Sequence, residues 1–265
     1  MITSDSSETR GKVYFIGAGP GAPDLITVRG AELIHNADCI IYAGSLVNVK
    51  LFDNCQAPVH DSSKLHLAEI VDLMVTTCEN GGDVARVHTG DPSLYGAIKE
   101  QMLRLDERDI DWEIVPGVTS AFGAAATLGV ELTLPEVTQS VIITRRGGRT
   151  PVPALESLPR LAAHEATLII YLSVSMIEEV VAELIEGGYQ NNTPVSVVMK
   201  ATWPDEKIVR GSLADISDKV KEEKITKTAL ICVGRVFADS AFKTASKLYD
   251  KNFSHALRER TPDGQ

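Results

Sequence analysis

The sequence contains no long hydrophobic run and no segment that would direct it to a membrane. No apolar stretch approaches the ~20 residues that a helix needs to cross a bilayer. Residues 1–11 are polar and lack the apolar stretch of a secretory signal. We therefore expect no membrane partner and no export through the secretory route.

Cysteine is also scarce, and none of the four cysteines belongs to a Cys-x-x-Cys pair. Cys39, Cys78 and Cys232 fall within apolar stretches, where a thiol behaves as a small buried hydrophobic group. The six histidines show no zinc-like spacing with one another or with the cysteines. The sequence therefore predicts reduced thiols, a cytoplasmic location and no bound metal.

Positive charge is in deficit. The chain has 26 lysine and arginine residues against 36 aspartate and glutamate residues, which gives a formal net charge of -10. Such a protein does not attract nucleic acid in bulk, so we expect no nucleic-acid partner. With 265 residues, 44% of them hydrophobic, the chain is long enough for one large or two modest domains with a full core.

Against this acidic background, arginine is concentrated at one place. Arg145, Arg146 and Arg149 follow the apolar run Val141–Ile143 and surround a flexible diglycine. The guanidinium group carries a planar fork of donors that matches carboxylates and phosphates. From the sequence alone, the segment is either a site for an anionic ligand or an exposed basic loop without a function.

The order of predicted elements indicates an α/β protein. Up to Pro116, predicted strands and helices alternate, which is typical of a parallel sheet with crossover helices. Beyond it, strands follow one another more closely, which favours antiparallel pairing and a mixed sheet. We therefore predict two α/β domains with a ligand cleft between them. Their predicted limits are residues 12–116 and 117–238, with a flexible N-terminal tail at 1–11 and a C-terminal tail at 239–265.

A glycine-rich loop, residues 17–24, follows the first predicted strand and has the Gly-x-Gly-x-x-Ala spacing of a dinucleotide site. Pro20 and Pro23 lack the N–H groups that a pyrophosphate would need. The second predicted strand, residues 39–43, is not followed by the ribose-binding carboxylate, and the next helix begins several residues after the glycines. The loop is then a tight connection or one whose backbone closely approaches a flat or bulky ligand. A dinucleotide-dependent oxidoreductase stays as a remote alternative.

Three motifs resemble, in the right order, the signatures of the tetrapyrrole methyltransferase superfamily. They are Gly17–Thr27, Gly90–Gly96 and Pro116–Ser120. Two further segments, Tyr42–Val47 and Thr144–Pro153, look like the branch that methylates precorrin-4 or cobalt-precorrin-4 at C11. The resemblance runs from about Lys12 to Val236 and covers all but the two ends of the chain.

This resemblance implies a homodimeric enzyme with two α/β domains and the active site in the cleft between them. Members transfer a methyl group from S-adenosylmethionine to a ring carbon of an anionic corrin precursor in vitamin B12 biosynthesis, leaving S-adenosylhomocysteine. The alternatives are another ring carbon, uroporphyrinogen III, a modified translation factor, ribosomal RNA, or a carrier of corrinoid precursors without catalytic activity.

The resemblance also implies the residues that bind the cofactor. They are Pro20, Thr89, Gly90, Asp91, Leu94, Thr119, Ser120, Leu172, Ala201 and Ala229. On local grounds, Asp91 could instead cap a helix that follows Pro92, and Leu172 is more simply explained as a core residue.

For the substrate, the three arginines are the predicted partners of its acetate and propionate arms. No serine–histidine–aspartate pattern or paired carboxylate stands out, and no general base is visible. Methyl transfer from a sulfonium is an in-line displacement, so the protein has mainly to position two reactants and exclude water. Asp91 and Tyr95 are the candidates for such positioning.

Overall fold

A computed structural model of the chain describes residues 10–238 together with Ser254 and Ala256. Within these residues the fold divides into two compact units. Unit 1 holds the residues up to Ala124 together with Lys200–Glu206, and unit 2 holds Ala125–Met199 and the residues from Lys207 onward. The predicted tails, residues 1–11 and 239–265, lie almost entirely outside the described residues, and the predicted domain limits stay a prediction.

Unit 1 is built on a five-stranded sheet in which every strand pairing is parallel. The order across the sheet is β3-β2-β4-β1-β5. The strands are β1 (Val13–Gly17), β2 (Cys39–Tyr42), β3 (Val59–Asp61), β4 (Val84–His88) and β5 (Trp112–Val115). The helices are α1 (Val28–Asn36), α2 (Leu67–Glu79), α3 (Lys99–Asp106) and α4 (Ser120–Leu128), the last of which begins in unit 1. The predicted parallel sheet is confirmed.

Both faces of this sheet are covered by apolar clusters. Strands β1, β2, β4 and β5 contribute to both clusters, because successive side chains of a strand point to opposite faces. Ile16 and Ile40 lie in an apolar cluster with Ile34 of α1. Phe15 lies on the other face, in a cluster with Met74 of α2. Strands β1 and β2 are accordingly short, continuous apolar runs, as expected for a parallel sheet buried on both sides.

Two connections in unit 1 differ from the predicted alternation of strand and helix. Between β2 and β3 the chain forms short 3-10 turns rather than an α-helix, beginning at Gly44, whose φ is +66°. The helix after β4 begins only at Lys99, because Tyr95 and Ala97 adopt left-handed backbone conformations with φ of 58° and 49°.

Unit 2 contains a mixed five-stranded sheet in the order β6-β7-β10-β8-β9. Strands β6 and β7 are parallel, and the remaining pairings are antiparallel. The strands are β6 (Val141–Arg145), β7 (Thr167–Tyr171), β8 (Pro194–Met199), β9 (Lys207–Ser212) and β10 (Ala229–Val233). The helices are α5 (Leu158–Ala162), α6 (Ile177–Glu186) and α7 (Ile216–Glu222). The predicted mixed sheet is confirmed.

Unit 2 also departs from the predicted elements at two places. The five-residue helix α5 was not predicted, since its length gives too little periodicity to detect. The run Ala229–Val236 predicts a longer strand, but β10 ends at Val233, because Gly234 has a φ of 141° and leads the chain into a 3-10 turn. Across the described part of the chain, no helix combines the length and apolar character required to span a bilayer.

Candidate functional site

Three loops meet at one edge of the unit 1 sheet. Strands β4, β1 and β5 are parallel neighbours, so the loops that follow them lie side by side. A Cβ added to Gly17 would lie 2.5 Å from the carbonyl oxygen of Gly90 and 2.6 Å from Cα of Gly117. Such distances exclude any side chain at Gly17. From the adjacent strands β1 and β4, the chain continues in opposite directions across the sheet, to β2 and to β5. Open α/β sheets bind ligands at the point where two neighbouring connections diverge in this way.

Backbone hydrogen bonds tie two of these loops together. The amide of Gly19 donates to the carbonyl of Gly90 at 3.2 Å, and the amide of Gly90 donates to the carbonyl of Gly19 at 2.8 Å. The loop after β1 is thus fixed to the loop after β4 without any side chain. Both glycines have a positive φ, which glycine adopts without steric cost.

Asp91 connects the loop after β4 with the loop after β5. One carboxylate oxygen accepts a hydrogen bond from the amide of Gly117 at 3.0 Å, and the other accepts one from the amide of Ser93 at 2.8 Å. The alternative role as a helix cap is wrong, because α3 begins only at Lys99. Asp91 therefore holds the local backbone in place.

A buried polar pair supports the segment between Asp91 and α3. Arg86 of β4 donates from Nε to Oε1 of Gln101 at 2.9 Å, and the Gln101 amide donates to the carbonyl of Ala97 at 3.1 Å. Both side chains are buried. This pair was not identified from the sequence. The position of an arginine in the middle of an apolar strand was the one signal that it needs a buried polar partner.

His88, the last residue of β4, is buried beside Arg86 and next to Thr89. Burial, with a smaller contribution from the Arg86 charge, lowers the pKa of its imidazole to about 3. The imidazole is therefore neutral at physiological pH. Among the described residues, its Nε2 atom is buried without a hydrogen-bond partner.

Protein groups occupy much of the hydrogen-bonding capacity of the glycine-rich loop. The amide of Ala18 donates to the carbonyl of His88 at 2.7 Å, and the amide of Ala22 donates to Oγ1 of Thr202 at 3.0 Å. The carbonyl of Pro20 accepts from the indole Nε1 of Trp203 at 3.1 Å. Pro20 itself has no amide hydrogen. The amides of Ala18 and Ala22 are therefore not available as donors to a pyrophosphate, in keeping with the sequence argument against a dinucleotide site.

The predicted cofactor residues of unit 1 lie on these loops, except Ala201, which lies between β8 and β9. They are Pro20, Thr89, Gly90, Asp91, Leu94, Thr119, Ser120 and Ala201. A Cβ added to Gly90 would lie 3.5 Å from Cα of Thr119 and 3.6 Å from the amide nitrogen of Ser120. Gly90 therefore lies beside the start of α4. Ala201 is buried between Lys200 and Thr202, two residues with a positive φ.

The other two predicted cofactor residues, Leu172 and Ala229, lie in unit 2. Continuing the antiparallel register of β7 and β10 places them opposite each other at one edge of the sheet. Leu172 is 66% exposed and has a φ of 54°. The expectation that Leu172 is a core residue is therefore wrong, since the left-handed turn after β7 exposes its side chain.

The arginine-rich loop begins at the same edge of the unit 2 sheet, because Arg145 pairs with Tyr171 at the end of β7. The Arg145 guanidinium donates to the carbonyls of Thr150 at 3.0 Å and Pro151 at 2.9 Å. These bonds close the loop on itself. Arg145 thus has partners within its own loop.

Arg146 is held by a carboxylate of α6. Its Nε and terminal nitrogen approach Oε1 of Glu183 at 2.8 and 2.7 Å, and its amide donates to Oγ of Ser173 at 2.9 Å. Arg149 is exposed at the turn of the loop. Within the described part of the chain, no acceptor lies within hydrogen-bond distance of the Arg149 guanidinium.

The described residues contain no group of three or more histidine, cysteine, aspartate or glutamate side chains that could hold a metal ion. The four cysteines are free thiols, and Cys39, Cys78 and Cys232 are buried. Burial raises the pKa of the Cys78 and Cys232 thiols to about 12, so they are protonated and unreactive.

Comparison with known proteins gives consistent matches over nearly the whole chain. The family model of Tetrapyrrole (Corrin/Porphyrin) Methylases matches residues 12–217. A cobalt-precorrin-4 C(11)-methyltransferase of Methanocaldococcus jannaschii is 57% identical over 250 residues, covering 94% of this chain and 96% of that protein. A precorrin-4 C(11)-methyltransferase of Pseudomonas aeruginosa is 51% identical over 247 residues, covering 93% of this chain and 98% of that protein.

Solved structures of related enzymes have the same fold as this chain. The crystal structure of a cobalt precorrin-4 methyltransferase of cobalamin biosynthesis superimposes with a TM-score of 0.84 at 49% identity, covering 86% of this chain and 96% of that one. A uroporphyrin-III C-methyltransferase from Thermus thermophilus, solved with S-adenosyl homocysteine, gives a TM-score of 0.73 at 26% identity. That match covers 85% of this chain and 98% of the other.

Proposed function

The chain belongs to the tetrapyrrole methylase family, and from this premise we propose that it methylates precorrin-4 or cobalt-precorrin-4 at C11 of the ring. It is an S-adenosylmethionine-dependent methyltransferase of corrin biosynthesis. The observation that carries the assignment of substrate is the 57% identity to a cobalt-precorrin-4 C(11)-methyltransferase across 94% of the chain.

The loops of unit 1 fit an adenosyl cofactor. They present backbone rather than charged side chains, and glycine at positions 17 and 117 is required because any Cβ would overlap the neighbouring loop. A Cβ added to Gly90 would be in van der Waals contact with Cα of Thr119 and the amide nitrogen of Ser120, so these residues lie side by side. We propose that Thr89, Gly90, Thr119 and Ser120 contact the cofactor at this place.

S-adenosylmethionine supplies a methyl group activated by its sulfonium charge. Because the reaction is a displacement at carbon, the residues of the chain have to orient the reactants and exclude water rather than exchange protons with them. Both carboxylate oxygens of Asp91 already accept backbone amides, so we assign Asp91 to holding the loops after β4 and β5. Tyr95, which is 43% exposed in the same segment, is the candidate for packing against a reactant.

For the substrate carboxylates, we propose Arg149 as the direct partner. Arg145 and Arg146 are bonded within unit 2 and would have to give up present partners to bind a ligand. Their role in this proposal is to hold the loop so that Arg149 stays exposed. Each contact of an exposed arginine with a carboxylate contributes about 0.2–1 kcal/mol, so several would be needed for tight binding.

We further propose a cytoplasmic homodimer. The family resemblance implies dimerisation, and Phe122 of α4 is 57% exposed, as is common for an aromatic residue that a partner covers. Sedimentation velocity measures the state directly, since the chain has a mass of 28.6 kDa. A single species of monomer mass at micromolar concentration would exclude a stable dimer.

The decisive experiment is incubation with methyl-labelled S-adenosylmethionine and, separately, precorrin-4, cobalt-precorrin-4 and uroporphyrinogen III. Carbon NMR of the product locates the new methyl group. We expect labelling at C11 of a precorrin-4 ring, and the metal-free and cobalt-containing substrates are compared by their kcat/KM values. Methylation of uroporphyrinogen III alone, or at another ring carbon, would overturn the proposal.

A further inference from the structure

A short segment between β8 and β9 contacts the glycine-rich loop within unit 1. Trp203 donates from its indole Nε1 to the carbonyl of Pro20 at 3.1 Å, and Thr202 accepts at Oγ1 from the amide of Ala22 at 3.0 Å. Between these two bonds, a Cβ added to Gly21 would overlap the indole ring, with Cγ of Trp203 only 2.9 Å away. Thr202 and Trp203 therefore hold three consecutive residues of the loop.

The segment that carries this pair is itself firmly fixed. The Thr202 amide donates to Oε2 of Glu206 at 2.6 Å, and the Lys200 ammonium pairs with Oδ2 of Asp205 at 2.5 Å. The same ammonium lies 5.7 Å from the centre of the Trp203 ring, within range of a cation–π contact. The indole is thus fixed from its own segment as well as by Pro20.

The backbone of this segment is held in an unfavourable conformation. Lys200 and Thr202 have φ of 51° and 68°, and a left-handed conformation is a true outlier for a β-branched residue such as threonine. Such a conformation persists only where the surrounding contacts enforce it, and it is concentrated at functional sites. Ala201, between the two, is a predicted cofactor residue.

We propose that Thr202 and Trp203 are positioning residues for the cofactor, which fix the Pro20 segment and the Ala201 segment relative to each other. This inference rests on the proposed function, since it assumes that S-adenosylmethionine binds at these loops. Neither side chain has to touch the cofactor. Their hydrogen bonds fix the backbone on which it lies, so that little ordering of the loop is left for the moment of binding.

The first test compares the two tryptophans of the chain by isothermal titration with S-adenosylhomocysteine. Trp203→Phe removes the indole donor to Pro20 and keeps an aromatic ring. Trp112→Phe is the matched control, because Trp112 also donates its indole hydrogen, to Oδ1 of Asp106 at 2.7 Å, but does so at β5, away from the glycine-rich loop. We expect Kd for S-adenosylhomocysteine to rise about three- to tenfold in Trp203→Phe and to stay unchanged in Trp112→Phe. Each variant loses one indole hydrogen bond, so we expect both to lower Tm by a similar amount.

A second pair of variants keeps the test valid if Trp203→Phe does not fold. Thr202→Val removes the acceptor for Ala22 and keeps the branched shape, whereas Thr202→Ser keeps the hydroxyl. We expect weaker binding in Thr202→Val and wild-type affinity in Thr202→Ser. If Thr202→Val and, where it folds, Trp203→Phe both bind S-adenosylhomocysteine with wild-type affinity, this inference is overturned and the proposed function is not. Absence of binding by the wild-type protein would overturn the proposed function as well.

Discussion

At the scale of single residues, the three arginines after β6 show how identical side chains take different roles. Arg145 donates to carbonyls of its own loop and Arg146 pairs with Glu183, whereas Arg149 is exposed. In the sequence the three form a single basic cluster. Their hydrogen-bond partners show that Arg145 and Arg146 shape the loop, whereas Arg149 is available to a ligand.

Replacement of Arg149 by alanine should therefore weaken substrate binding without affecting the cofactor. We expect KM for the corrin precursor to rise roughly two- to fivefold, the effect of one solvent-exposed ion pair, with Kd for S-adenosylhomocysteine unchanged. Arg160→Ala, which removes an exposed arginine of α5, is the control. Steady-state kinetics at low ionic strength gives KM, and an unchanged KM in Arg149→Ala would remove this residue from the substrate site.

The imidazole of His88 gives a second prediction at this scale, for stability. Its pKa is about 3 in the folded protein, while the unfolded chain has the ordinary value near 6.5. Below pH 6.5 the unfolded chain binds a proton that the folded protein does not, so stability falls as the pH drops from 6.5 toward 3. The stability is fully present above pH 6.5.

Replacing His88 by phenylalanine should remove this part of the pH dependence. Between pH 7.5 and 5, the free energy of unfolding of the parent should fall by about 2 kcal/mol more than that of His88→Phe. Urea unfolding at the two pH values measures the difference, and His164→Gln, at an exposed position, should behave like the parent. Equal losses in the parent and in His88→Phe would contradict the assigned pKa.

At the scale of elements, β1, β2, β7 and β10 were predictable because they are short apolar runs. The runs Val84–His88 and Trp112–Val115 predict strands with the limits that β4 and β5 have. The parallel and mixed pairings follow from the spacing of the strands along the chain. What the sequence did not reveal depends on backbone conformation. The late start of α3 requires a left-handed Tyr95, and no propensity rule assigns that conformation to tyrosine.

The parts of the candidate site that lie on local sequence motifs were predictable, and the parts formed by distant residues were not. Gly90 and Thr119 lie on motifs that can be identified by eye, and the structure brings their backbones together. The contacts of Trp203 with Pro20 and of Arg146 with Glu183 join residues 183 and 37 positions apart in the chain. Only the folded chain shows such pairs, because no local pattern links the two partners.

At the scale of the whole molecule, the ligand whose binding stabilises the protein tests the conclusion that the glycine-rich loop is not a dinucleotide site. A ligand that binds only the folded state at 100 times its Kd adds about 2.7 kcal/mol to stability. In a chain of 265 residues this corresponds to a rise in Tm of roughly 5–10 °C.

We expect S-adenosylhomocysteine at saturating concentration to produce a rise in Tm of this size and NADH to produce none. The physical reason is that the amides of Ala18 and Ala22 are already bonded within the protein and Pro20 has none, so the loop offers a pyrophosphate few donors. Differential scanning calorimetry of the full chain measures both shifts under one buffer condition. A rise with NADH and none with S-adenosylhomocysteine would mean that the glycine-rich loop serves a dinucleotide after all.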